Sequence, residues 1–258
     1  MDETYRELVT RWKALRGASG DLRVREVACV NAPRTLLCAE LGKAALPSIA
    51  LAAGVHGDER AGPWALLALV EMQALDPRFA YRIWPCTNPS GFEARTRESA
   101  GGIDVNRTFG RGGQSPEAKA IVTANRDRAF ALSLDLHEDV DAGGFYCYEY
   151  GGGDIGCAAV EAVANAGFPI DSLVETIAFA GPLTAEHCRW ERRRIVADAA
   201  EEAKLLGGES YSMALARRAV RHALTFESPG NAPMQSRIDM HVCAVRAAIE
   251  AVALEASS

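Results

Sequence analysis

The chain has 258 residues, 48% of them hydrophobic and 24% charged, a balance that belongs to a folded globular protein with a large core and not to a disordered one. Its formal net charge of -6, with basic residues scattered apart from Arg192-Arg193-Arg194, argues against nucleic acid as a partner. That triplet is followed by Asp198, Glu201 and Glu202 and reads as a mixed-charge, solvated helix face.

Met1 to Glu7 opens with acidic residues and lacks the basic and apolar regions of a secretory signal, so a cytoplasmic location is expected. Tyr5, Leu8, Val9, Trp12 and Leu15 recur at helical spacing and predict a packed amphipathic helix that ends at Gly17-Ala18-Ser19-Gly20. Three strand-like runs follow, at 22–30, 34–41 and 48–55. The first two read as a hairpin, and the third is apolar enough for a central strand covered on both faces. A helix is expected over 61–75, with Pro63 tolerated in its first turn, then a short buried strand over 81–86 ending in the turn Asn88-Pro89-Ser90-Gly91.

Residues 92–113 are polar, glycine-rich and without periodicity, yet they gather Arg95, Arg97, Asp104, Asn106 and Arg107; long irregular segments in compact domains tend to be functional. Ser115-Pro116 starts a helix running to about Arg128, and Phe130 to Leu136 is a mostly apolar strand. A strand over 145–150 and a helix over 154–166 come next. Residues 189–206 read as partly helical, 210–218 as a helix, 221–226 as a strand and 234–254 as a long closing helix. No apolar run approaches the eighteen or so residues that cross a bilayer, so no membrane partner is expected. The seven cysteines include no C-x-x-C pair and are expected to be free, mostly buried thiols. With no linker or repeat, residues 1–258 read as one α/β domain: a mixed, mostly parallel central sheet with helices on both faces.

Polar groups at three strand ends carry the chemistry. The turn Gly54-Val55-His56-Gly57-Asp58-Glu59 places His56 and Glu59 three residues apart at the carboxyl end of the apolar third strand, the edge where α/β sheets bind ligands. His137 ends a second buried strand, and Glu227 ends a third. Taken alone, His56 and Glu59 could be ordinary surface-turn residues. A single zinc site explains all three strand ends at once: His56, Glu59 and His137 as ligands, and Glu227 acting on water at the fourth position. A carboxylate directly after a buried strand is otherwise costly.

The succession H-G-D-E, N-P-S-G, R-x-R, G-I-D-V-N-R-T-F, D-L-H-E and T-F-E, between about Val55 and Gly230, resembles the zinc carboxypeptidase family. That family includes carboxypeptidase A-like peptidases, murein peptide amidases and the succinylglutamate desuccinylase and aspartoacylase branch. The resemblance implies its phosphorylase/hydrolase-like α/β topology, one zinc ion on His56, Glu59 and His137, and Glu227 as general base and acid. It also selects Arg97 over Arg95 as the group that polarises the scissile carbonyl, and assigns Asn106 and Arg107 to the substrate's free carboxylate.

Asp135 and Glu138 flank His137 and either could orient a ligand. His187, His222 and His241 fall outside the matched blocks and are expected to be surface or satisfied histidines. Peptidases of the family usually carry a tyrosine in the segment before the general base; here the stretch 203–211 offers only Tyr211, which does not fall in that place. The expected activity is therefore hydrolysis of an amide bond beside a free carboxylate, in a small peptide or in an N-acyl amino acid. A non-catalytic carboxylate-binding protein is the contrasting reading.

Overall fold

The computed structural model describes residues 4–16, 21–151, 153–171, 188–191, 194–218 and 220–256. Strands β1 (Arg23–Val27), β2 (Leu36–Leu41), β3 (Ser48–Ala53), β4 (Ala80–Trp84), β5 (Phe130–Asp139), β6 (Tyr146–Gly151), β7 (Cys188–Glu191), β8 (Arg194–Ala197) and β9 (Val220–Pro229) form one sheet in the order β1-β2-β4-β3-β5-β9-β6-β8-β7. The four central strands β4, β3, β5 and β9 run parallel, and antiparallel pairs join them to either flank. The expected hairpin of the first two runs is β1 and β2.

Helices cover both faces, because each central strand sends alternate residues to opposite sides and nearly all of them are buried. Ile49, Leu51 and Ala53 of β3, Leu132, Leu134 and Leu136 of β5, and Leu224 and Phe226 of β9 share one core with helices α1 (Tyr5–Ala14), α2 (Ala61–Glu71), α5 (Ile155–Asn165) and α8 (Met234–Glu255). On the other face Leu36, Cys38, Ala52 and Trp84 pack with α4 (Pro116–Asn125) and α7 (Tyr211–Ala216), while α6 (Ala199–Leu205) packs beside β6 and β8. Among the described residues no helix is long and apolar enough to cross a membrane.

Several expectations change. Asn88-Pro89-Ser90-Gly91 is not a bare turn. The Asn88 side chain accepts from the Gly91 amide and caps a short helix, α3 (Pro89–Ala94), with Pro89 in its first turn. In the region 189–206 the strands β7 and β8 pair antiparallel, and the helix begins only after Asp198, whose side chain caps the amides of Ala200 and Glu201. Nor is Arg194 solvated. It is buried in β8 against Glu149 at 2.5 Å, and Arg192 and Arg193 lie outside the described residues. The irregular segment after α3 contains two single 3-10 turns, Val105–Arg107 and Gly110–Gly112. Cys29, Cys38, Cys86 and Cys147 are free and buried, as expected, Cys157 is buried against Arg194, and Cys243 is free and half-buried.

Candidate metal centre

Two loops run side by side where β3 and β4 end. Past the last strand residues, the Thr87 and Asn88 amides donate to the carbonyls of Ala53 and Gly54 at 2.9 Å each, and the Asn88 side chain donates to Val55 and Arg97 carbonyls at 3.2 Å. Gly57 packs so closely on Gly91 that a Cβ there would fall 1.9 Å from the Gly91 carbonyl carbon. The N-P-S-G block therefore props the H-G-D-E turn from beneath and holds Arg97 beside it.

In that turn His56 and Glu59 approach each other, with Nδ1 to Oε1 at 2.5 Å. His137, from β5, brings its Nδ1 to 2.9 Å from the other oxygen of Glu59. The three donor atoms lie within 4.8 Å of one another, and both histidines are buried. Their outer Nε2 atoms face carboxylates: His137 lies 3.1 Å from Asp135, and His56 lies 3.4 Å from Asp104. This is the arrangement by which outer carboxylates fix the tautomer and ring orientation of a ligating imidazole. Two imidazoles and a carboxylate with one shared focus suit zinc, so the donor set fits the expected ion.

Of the two acids beside His137, Asp135 is thus the orienting partner. Glu138 instead accepts from the Ala61 amide at the start of α2 and pairs with Arg237 of α8, while its own amide donates to Glu59 Oε2 at 3.1 Å.

Charge explains the protonation of the cluster. Burial alone would lower the pKa of both histidines, but Glu59 with Asp104 raises that of His56, and Asp135 with Glu59 raises that of His137 well above the usual value. Glu59 shows the converse. Its burial would favour the neutral acid, yet the two imidazoles hold it well below the ordinary carboxylate range.

Glu227 is the register partner of His137 across β5 and β9, so both side chains leave the same face of the sheet. Burial first, and then repulsion from Glu59, Asp139 and Asp135, raises its pKa well above the usual value, with only His137 opposing. Arg97, partly exposed, sits with Nη1 at 3.3 Å from His56 Nδ1 and Nη2 at 3.2 Å from Asp104. Arg95 is exposed on a left-handed turn after α3, away from this cluster. Asn106 is buried, and its side-chain oxygen accepts from the Tyr211 amide at 3.2 Å. Arg107 follows it into the cavity.

All seven expected site residues, His56, Glu59, Arg97, Asn106, Arg107, His137 and Glu227, line one open cavity of about 610 Å3. Of the remaining histidines, His222 is buried with Nε2 3.0 Å from Glu255, and His241 is fully buried, where desolvation depresses its pKa to about 3. Neither is a surface residue. His187 lies outside the described residues.

Three tyrosines and one glutamate enter the cavity without having been expected there. Tyr146, Tyr148 and Tyr150 alternate along β6 and so share its cavity face, a period-two signal visible in the sequence but attached to no motif. Tyr146 stands beside Glu227 in the ladder and donates to Asp139 at 2.8 Å. Glu202, on α6, is the fourth. Tyr211 is buried instead against Phe109, with ring centroids 5.5 Å apart, and does not line the cavity.

Residues 45–164 match the succinylglutamate desuccinylase/aspartoacylase catalytic domain. Carboxypeptidase SOL1 of Arabidopsis thaliana is 33% identical over an alignment of 111 residues that covers 35% of this chain and 23% of that protein. A candidate metallopeptidase of Shewanella amazonensis has the same fold with a TM-score of 0.73 at 23% identity, covering 95% of this chain and 91% of its own. A metallo-carboxypeptidase of Burkholderia cenocepacia superposes with a TM-score of 0.68 at 17% identity, over 96% of this chain and 68% of its own. The chain thus shares the fold of these metallopeptidase structures across almost its whole length, and within it residues 45–164 are similar to the succinylglutamate desuccinylase/aspartoacylase catalytic domain.

Proposed function

We propose that the protein is a zinc-dependent hydrolase that cleaves an amide or peptide bond next to a free carboxylate. The observation that carries this reading is the convergence of His56 and His137 on Glu59, each imidazole facing an outer carboxylate, in the cavity that also holds Glu227, Arg97 and Arg107. His56, Glu59 and His137 would hold the ion. When bound, zinc supplies Lewis acidity and brings a water molecule's pKa toward neutrality.

The chain's own groups supply the rest. Glu227, ionised once a cation rests on the neighbouring ligands, would take a proton from the attacking water and return it to the leaving nitrogen. Arg97 holds a guanidinium beside His56, where negative charge grows on the carbonyl oxygen. Arg107, with Asn106 beside it, receives the substrate carboxylate in a bidentate grip, and that contact fixes which bond lies over Glu227.

The match across residues 45–164 favours a second reading within this chemistry, deacylation of an N-acyl amino acid in place of removal of a C-terminal residue from a peptide. Zinc-loaded protein assayed on N-acyl amino acids, on short peptides, and on the same compounds with the carboxylate amidated tests both. Turnover of either free-carboxylate set, lost on amidation, is expected. Equal turnover of amidated and free forms would contradict the role given to Arg107.

A further inference from the structure

Helix α6 contributes one side chain to the lining of the cavity, and that side chain has a valence that the protein does not fill. Glu202 is 5% exposed, lines the cavity, and leaves Oε2 with no hydrogen-bond partner. The hydroxyl of Tyr150 donates to the carboxyl group, and the charge of Arg107, which lines the same cavity, acts on it as well. Desolvation nonetheless outweighs both and raises its pKa to about 7. A buried carboxyl with one oxygen left unpartnered is costly in a structural role, because a leucine would fill the same wall without that loss.

The wall is also fixed relative to Arg107. Phe109 donates its amide to the Glu209 carbonyl at 3.0 Å, Thr108 and Glu209 form a β-bridge, and a Cβ on Gly208 would lie 2.2 Å from the Arg107 carbonyl oxygen. The segment that ends α6 is thus stitched to the segment that carries Arg107. A guanidinium and a buried carboxyl face one space at set positions, and Leu206 and Met213 provide apolar lining for what spans them. A molecule with a carboxylate at one end, a methylene chain, and a cation at the other complements that space.

We propose that Glu202 selects the substrate by receiving a terminal amino group on the amino acid whose carboxylate rests on Arg107. The preferred leaving group is a basic α-amino acid of lysine type. This assignment rests on the hydrolase reading only for the word substrate, since recognition of the free amino acid depends on Arg107 and Glu202 alone.

The test is calorimetric titration of the zinc-loaded full chain with free L-lysine, L-norleucine and L-glutamate, repeated on Glu202→Gln and Glu202→Lys, beside an assay of the matching N-acyl and peptidyl compounds. The wild type should bind lysine about ten- to a hundred-fold more tightly than norleucine, the range of a charge-assisted hydrogen bond in a buried site. In Glu202→Gln that ratio should fall toward one, and in Glu202→Lys glutamate should overtake lysine. Because the ratio is read on one preparation, a general loss of folded protein cancels. A wild-type ratio near or below one overturns the proposal, as does a ratio that survives Glu202→Gln. Binding with the expected ratio but no hydrolysis of any compound leaves Glu202 assigned and overturns the hydrolase reading. Hydrolysis without any preference for the cation does the reverse.

Discussion

His137 and Glu227 are direct neighbours in the parallel ladder of β5 and β9, one a candidate ligand and the other a candidate proton carrier. Adjacent strands hold their register partners on one face, so the spacing between these two groups is set by the sheet and not by a loop. From that relationship follows a sharp expectation: replacing Glu227 should change proton transfer without changing metal binding. Glu227→Gln keeps shape, and it should retain a full equivalent of zinc while losing about a hundred-fold or more in turnover. Zinc content by atomic spectroscopy and turnover on one preparation check it, and full activity in that variant would remove the role.

The outer carboxylates should matter nearly as much as the ligands. Asp135→Asn takes the orienting charge from beneath His137, 3.1 Å away, and should weaken zinc affinity by about ten- to a hundred-fold. His137→Ala should weaken it further, since a ligand is lost outright. Competition against a zinc-binding dye orders the three proteins. If His137→Ala bound zinc as tightly as the wild type, the third ligand would lie elsewhere.

Gly57 has no room for a side chain, because Gly91 lies against it as backbone that cannot rotate away. Gly57→Ala should therefore destabilise the fold by at least about 3 kcal/mol, the upper end of ordinary overpacking. The melting temperature should drop by about 6 °C or more, read by scanning calorimetry. A variant melting with the wild type would mean that the two loops are not packed as described.

Glu202 gives a pH dependence of defined sign. Its pKa rises from 4.5 to about 7 on folding, so between those values the folded state binds more protons than the unfolded one. Stability conferred by the protonated carboxyl is present below pH 4.5 and is lost as pH rises toward about 7, levelling off above it. Tyr150 and Arg107, which both favour the ionised form, limit the loss, and its size is on the order of 3 kcal/mol at most. Urea unfolding at pH 5 and pH 8 should show a smaller fall in Glu202→Gln than in the wild type. Identical falls would place the titration on other groups.

How much of this was legible in the sequence depended on whether a signal was local. The apolar run of β3, the apolar runs of β5 and β9, and the polar residues that close them sufficed to bring His56, Glu59, His137 and Glu227 to one edge, because strand ends of a parallel sheet gather there. The choice of Arg97 over Arg95 needed the resemblance; physically, Arg97 lines the cavity within reach of His56 and Asp104, while Arg95 is exposed and does not line it. Residues 189–206 were read as partly helical, and the helix is α6 alone; the pairing of β7 with β8 before it is a contact that no short-range periodicity announces. Glu202 was read with a solvated charge run for a similar reason. Its burial comes from α6 packing beside β6, a tertiary contact between segments about fifty residues apart.

The central claim is a hydrolase whose activity depends on one metal ion held by His56, Glu59 and His137. Its most direct test is to strip the purified protein with a chelator and titrate zinc back while following hydrolysis of an N-acyl or peptidyl amino acid with a free carboxylate. Activity should be absent at the start, rise in proportion to added zinc and stop rising at one equivalent. Undiminished hydrolysis by the stripped protein, or zinc uptake that brings no hydrolysis of any such compound, would contradict it.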